Sequence, residues 1–301
     1  MEESPESCNV RLLKTLEPAF SKYPKERPLP VLVVEGPNDP KLFKKLGVKE
    51  GCIFIAGNRD AVVGLLEYHI RERRPEEVEG VFLIDCDTEG KPHSEILQKE
   101  ETRLLVTQCC DIEADLFAVG VVERALCSMM SHEDAAAYVD EAKRMSLPLS
   151  IVRRRAHKAS VSMKTIGLFD VAPEVRLEWR DATPEWRTVL DHVGLVRLWS
   201  PEQVNLVKGQ ELAEPISFDR YALGKDTIDA LFFLLFEDGR FDEDDQFAEC
   251  KWIRERRPNF KGFGIWLRSH AEKTDISNWE VGKRLNAWQL DRGVELIRAE
   301  T

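Results

Sequence analysis

Val81-Phe82-Leu83-Ile84-Asp85-Cys86-Asp87 sets four apolar residues directly before two aspartates spaced one residue apart. A run with no polar face reads as a β-strand buried on both sides, so the charges at its end stand at the rim of a core. Side chains alternate along an extended chain, which points Asp85 and Asp87 the same way. The competing reading of such a pair is a solvated strand end or a turn, both ordinary places for aspartate.

The same grammar repeats on either side. Residues 29–34 run apolar into Glu35-Gly36-Pro37-Asn38-Asp39, and a helix is expected over 39–46 with Pro40 in its first turn. Residues 52–56 form a second strand, stopped by Gly57-Asn58-Arg59-Asp60 before a helix to about residue 73. Residues 103–107 form another, leading through 108–111 into a helical stretch. Strand, polar turn and helix in alternation imply an α/β fold with a parallel sheet flanked by helices. Ahead of it, Leu12, Leu13, Leu16 and Phe20 mark a helical leader within 1–28. The core is expected over 29–130. A mainly helical region over 131–301 is expected to complete the site and offer a partner surface. There, 131–145 reads as an amphipathic helix, 215–223 as a candidate added strand, and Gly224-Lys225-Asp226 as the entry to an apolar helix through 236. An acidic loop over 237–245 precedes a helical end rich in tryptophan at Trp252, Trp266, Trp279 and Trp288.

The net charge of -11 argues against a protein that coats nucleic acid by bulk electrostatics, although not against an enzyme that cuts it. The 7 cysteines form no C-x-x-C pair and are odd in number, which fits a reduced cytoplasm. MEESPESCNV has no apolar signal core, and the longest apolar runs, such as 230–236, are too short to span a bilayer. The 6 histidines include no H-x-x-x-H, so a histidine metal site has no support.

Ligands of open parallel sheets bind beyond the carboxyl ends of the strands. Glu35, Asp85 and Asp87 end strands here, with Asp111 and Glu113 just after the fourth. Such oxygen ligands suit one or two Mg2+ or Mn2+ ions, and a metal pair stabilises both attacking and leaving oxygens of a phosphoryl displacement. Asp39 is a further candidate ligand, or a cap for the helix it opens. Asp111, Glu113 and Asp115 would give one acidic helix face, with plain exposure as the alternative. Arg153, Arg154, Arg155, Lys158 and Lys164 lie in a stretch, 150–164, without one acid. That strip, which includes His157, would grip a phosphate backbone; the alternative is a solvated loop. A second cluster around Lys251 and Arg254 flanks Trp252 and Phe260, aromatics better suited to a core than to base stacking.

Val31-Leu32-Val33-Val34-Glu35-Gly36-Pro37-Asn38-Asp39, Phe54-Ile55-Ala56-Gly57-Asn58 and Phe82-Leu83-Ile84-Asp85-Cys86-Asp87 together resemble the TOPRIM domain of topoisomerases, primases and OLD-like nucleases, over about 29–125. The resemblance implies magnesium held by Glu35, Asp85 and Asp87. Thr107-Gln108-Cys109-Cys110-Asp111-Ile112-Glu113-Ala114-Asp115 and Leu223-Gly224-Lys225-Asp226 further resemble the AriB-type nuclease subunit of PARIS anti-phage defence. That likeness implies a toxin-like effector restrained by an ABC-type ATPase partner, with Lys225 assisting catalysis. Pro40, directly after Asp39, departs from the family's usual helix former. A homodimer would let two sites cut together. The rival from another class is a non-catalytic nucleotide or nucleic-acid binding module that acts as an assembly partner. Strand passage would need a tyrosine nucleophile in a companion domain, and priming a zinc module; neither is recognisable among these residues.

Overall fold

The structure, a computed structural model, describes residues 30–37, 39–71, 79–86, 103–162, 173–212, 216–240 and 260–297. The expected leader, Asp87, Lys164, Lys251, Arg254 and Trp252 lie outside the described residues. In chain order the described elements begin with β1 (Val31–Val34), α1 (Asp39–Lys45), β2 (Ile53–Ile55), α2 (Arg59–Arg71), β3 (Gly80–Ile84) and β4 (Leu104–Val106). Helices follow: α3 (Ile112–Ala118), α4 (Val121–Leu126), α5 (His132–Lys158), α6 (Pro173–Asp181), α7 (Trp186–Val196) and α8 (Pro201–Lys208). The last are α9 (Phe218–Tyr221), α10 (Gly224–Glu237), α11 (Phe260–Ser269), α12 (Asp275–Asn278) and α13 (Glu280–Arg292). Among the described residues, those up to Gln108 join those from Ala271 onward in one compact unit, and those from Cys109 to His270 form a second.

The first unit is built on a parallel sheet in the order β2-β1-β3-β4. Leu32 pairs with Ile53 on one side and Val81 on the other, and Leu83 pairs with Leu105. Alternation sends Val31, Val33, Phe82, Ile84 and Leu104 to one face, where Ala61, Val62, Leu65 and Leu66 of α2 cover them. Leu32, Val34 and Leu83 on the opposite face are equally buried. This is the two-sided burial that an unbroken apolar strand requires. The turn into α2 is set by Gly57 at φ +104°, and Asn58 Oδ1 accepts the Ala61 amide at 2.8 Å, a helix cap.

The end of the chain belongs to this sheet unit. Trp279 stacks on Phe43 with ring centroids 5.7 Å apart, and Arg284 Nη2 donates to the Leu104 carbonyl at 2.9 Å. Val48 and Ile297 form an antiparallel bridge. The compact units divide at 108/109 and 270/271. Contacts so distant in sequence leave no trace in local periodicity.

The second unit is helical in its described residues. Helix α5 does not end near residue 145 but runs to Lys158 through Pro148. Pro148 cannot donate a backbone hydrogen bond, yet Ala142, Met145, Leu149, Val152 and Ala156 bury one continuous face around it. Its main partner is α10. The strand expected over 215–223 is corrected: Phe218–Tyr221 is a helical turn, with the Tyr221 amide donating to Ser217 and the Ala222 amide to Phe218. Local turn bonds satisfy this backbone without a sheet.

Asp238, at the end of α10, accepts from Arg180 Nη1 at 2.7 Å, Arg180 Nη2 at 2.8 Å and the Tyr138 hydroxyl at 2.6 Å. Burial works to raise its carboxyl pKa, but the Arg180 and Tyr138 hydrogen bonds outweigh it and hold the value below the usual range. A carboxylate depressed in the folded state adds stability above its unfolded pKa of about 3.9. That contribution disappears as pH falls through the folded value. Asp238→Asn should lower the denaturant midpoint at neutral pH, and its gap to wild type should close on acidification, as urea unfolding across the acid range would show.

Candidate functional site

Because all the sheet pairings are parallel, the carboxyl ends of the strands share one edge. The chain leaves β1 for β2 on one side, whereas β3 is followed by β4 on the other. The β1/β3 junction is thus the topological switch point, the place where open α/β sheets leave a crevice for ligands. Glu35 directly follows β1 and Asp85 directly follows β3. Both side chains are half-buried, and Glu35 Oε1 accepts the Asp85 amide at 3.0 Å. The next amide, of Cys86, donates to Thr107 Oγ1 at 2.8 Å, just past β4.

Asp39 is differently engaged. Its Oδ2 accepts the Gly36 amide at 2.8 Å, and a Cβ on Gly36 would stand 3.3 Å from that oxygen. The carboxylate closes the turn between β1 and α1 through this bond. Glu35 and Asp85 contribute hard oxygens, and Mg2+ commonly takes one or two protein carboxylates with water and substrate phosphate completing its shell. The donor chemistry fits such an ion, although among the described residues no group of three or more His, Cys, Asp or Glu is placed to hold a metal. The remaining sequence candidate on this edge, Asp87, lies outside the described residues.

The other candidates belong to the second unit. Glu113, in the first turn of α3, is half-buried and paired with Arg268. Lys225 is exposed in the first turn of α10. The exposed acidic face is corrected, since Asp111 and Asp115 are both buried. Asp111 Oδ1 accepts the Ala114 amide at 2.7 Å, both of its oxygens accept the Gly224 amide at 3.0 Å, and Asp115 Oδ1 accepts the Cys109 amide at 2.6 Å. Gly224 is required there, because a Cβ would fall 2.2 Å from the Ala114 nitrogen.

In the basic strip, residues 150–158 form the last turns of α5. Arg153 grips Asp226 through Nε at 3.1 Å and Nη2 at 2.7 Å. Arg155 donates to the Gln210 carbonyl and lies 3.8 Å over the Trp186 ring, and Lys158 donates to the Glu211 carbonyl at 3.1 Å. Arg154 is half-buried, while His157 is exposed. These donors bind their own chain because α5 is packed along its length, which the expectation of a separate segment does not include. Asp226, buried with Ser150 Oγ donating at 3.1 Å, is absent from the site residues expected from sequence. Its place beside Lys225 is the one local signal that points to it.

Comparison with known proteins finds no matching family model, no matching curated protein and no matching solved structure. What is established is a four-stranded parallel α/β sheet with many helices, and, among the described residues, no helix long and apolar enough to cross a membrane.

Arg153→Ala should act as a stability defect. It strands the Asp226 carboxylate, only 2% exposed, and should cost about 3 kcal/mol in chemical denaturation. A residue that served only to contact phosphate would leave the unfolding midpoint unchanged.

Proposed function

We propose that the protein is a Mg2+- or Mn2+-dependent nuclease of TOPRIM type that cuts phosphodiester bonds in RNA, such as tRNA, or in DNA. The reading is carried by one observation: Glu35 and Asp85 stand side by side at the switch point of the sheet, tied through the Asp85 amide. In this reading Glu35, Asp85 and Asp87 hold one or two ions, and the bound metal supplies Lewis-acid polarisation and a water of lowered pKa. The Glu35 carboxylate, already turned toward Asp85, is the group to orient the attacking water and accept its proton. The roles of Glu113 and Lys225 rest on the sequence resemblance alone. So does the role as toxin-like effector of an anti-phage system, restrained by an ABC-type ATPase partner. Among the described strip residues His157, which is exposed, best keeps a role in phosphate contact, since Arg153, Arg155 and Lys158 already serve the fold.

Purified protein, with and without its ATPase partner, should cleave labelled RNA or DNA in the presence of Mg2+ or Mn2+. Glu35→Ala and Asp85→Ala should each reduce cleavage by at least about 100-fold, the upper end of the loss when a residue supporting a metal ligand is removed. Cleavage unaffected by either change would refute the site. Metal-independent binding without cleavage in any assembly would favour a non-catalytic binding module.

A further inference from the structure

Strand β3 ends at Ile84, and its next residues turn to side-chain acceptors. The Ile84 carbonyl accepts the Thr107 amide at 3.2 Å, and the next two amides, of Asp85 and Cys86, donate to side chains. Each is taken by a side chain from a flanking strand end: Asp85 by Glu35 after β1, Cys86 by Thr107 after β4. The two acceptors differ in kind. Glu35 is a carboxylate, which a cation can draw away from an amide. Thr107 is neutral and buried, at 3% exposed.

We propose that Thr107 is a positioning residue of the carboxylate centre: its hydroxyl holds the Cys86 amide, so that the backbone of Asp85 and Cys86 keeps its place when Glu35 engages a metal ion. The inference rests on the metal-centre reading and adds to it a residue that touches neither metal nor substrate. A ligand's supporting partner of this kind typically governs metal affinity by 10–100-fold.

The test compares wild type with Thr107→Val, Thr107→Ala and Thr107→Ser in the full chain. Mn2+ binding is measured by electron paramagnetic resonance, and the alkylation rate of Cys86 in metal-free protein by peptide mass spectrometry. Valine and alanine, which lack the hydroxyl, should weaken Mn2+ binding by about tenfold or more and expose Cys86 to faster alkylation. Serine should restore both. Alanine covers the case in which valine misfolds, as judged by circular dichroism. If wild type binds Mn2+ and the folded valine or alanine variant binds it equally well, the role of Thr107 is overturned while the metal centre stands. If wild type binds no Mn2+ whereas Cys86 alkylation still responds to Thr107, the metal-centre reading falls, and the positioning role with it.

Discussion

The hydrogen bond from the Asp85 amide to Glu35 Oε1 depends on two strands far apart in sequence running side by side in the same direction. Parallel pairing in the order β2-β1-β3-β4 puts every strand's carboxyl end at one edge. It also makes that edge a place of unmet backbone donors, because a parallel ladder stops abruptly where its strands diverge. Polar side chains at the strand ends answer both demands. They accept the amides of Asp85 and Cys86, and they gather carboxylates at the edge where open α/β sheets bind ligands.

The second unit meets a related constraint with other means. It buries Asp111, Asp115 and Asp226 among helices, and each carboxylate is satisfied by donors rather than left facing a core. Asp111 links the starts of α3 and α10, which approach so closely that only glycine fits at position 224. Arg153 answers Asp226 across 73 residues of sequence. Charges used in this way are architectural, and they change what the basic end of α5 can offer to a partner. A guanidinium committed to a buried carboxylate is not available to a phosphate without losing the interaction that keeps that carboxylate in the core.

Much of the sheet is legible in the amino-acid sequence. The apolar runs ending at Val34 and Ile84, and the polar turns after them, express strand burial and helix entry through residues that touch in sequence. Glu35 and Asp85 are legible for the same reason: a carboxylate directly after a buried strand is a local signal. Asp39 is ambiguous in sequence, since the same residue suits a cap and a ligand, and its bond to the Gly36 amide comes from a residue before the helix. Residues 215–223 mislead because alternating apolar residues fit both an edge strand and a helical turn leading into a buried helix.

The sequence by itself determined the strand–turn–helix alternation and the carboxylates at the strand ends, because hydrophobic period and turn chemistry are properties of neighbouring residues. Only the tertiary structure decided that α12 and α13 join the sheet unit, that Arg153 is a core partner of Asp226, and that the Cys86 amide donates to Thr107. Each of those depends on a partner that chain folding brings from a distance, and no local pattern encodes which distant group will arrive.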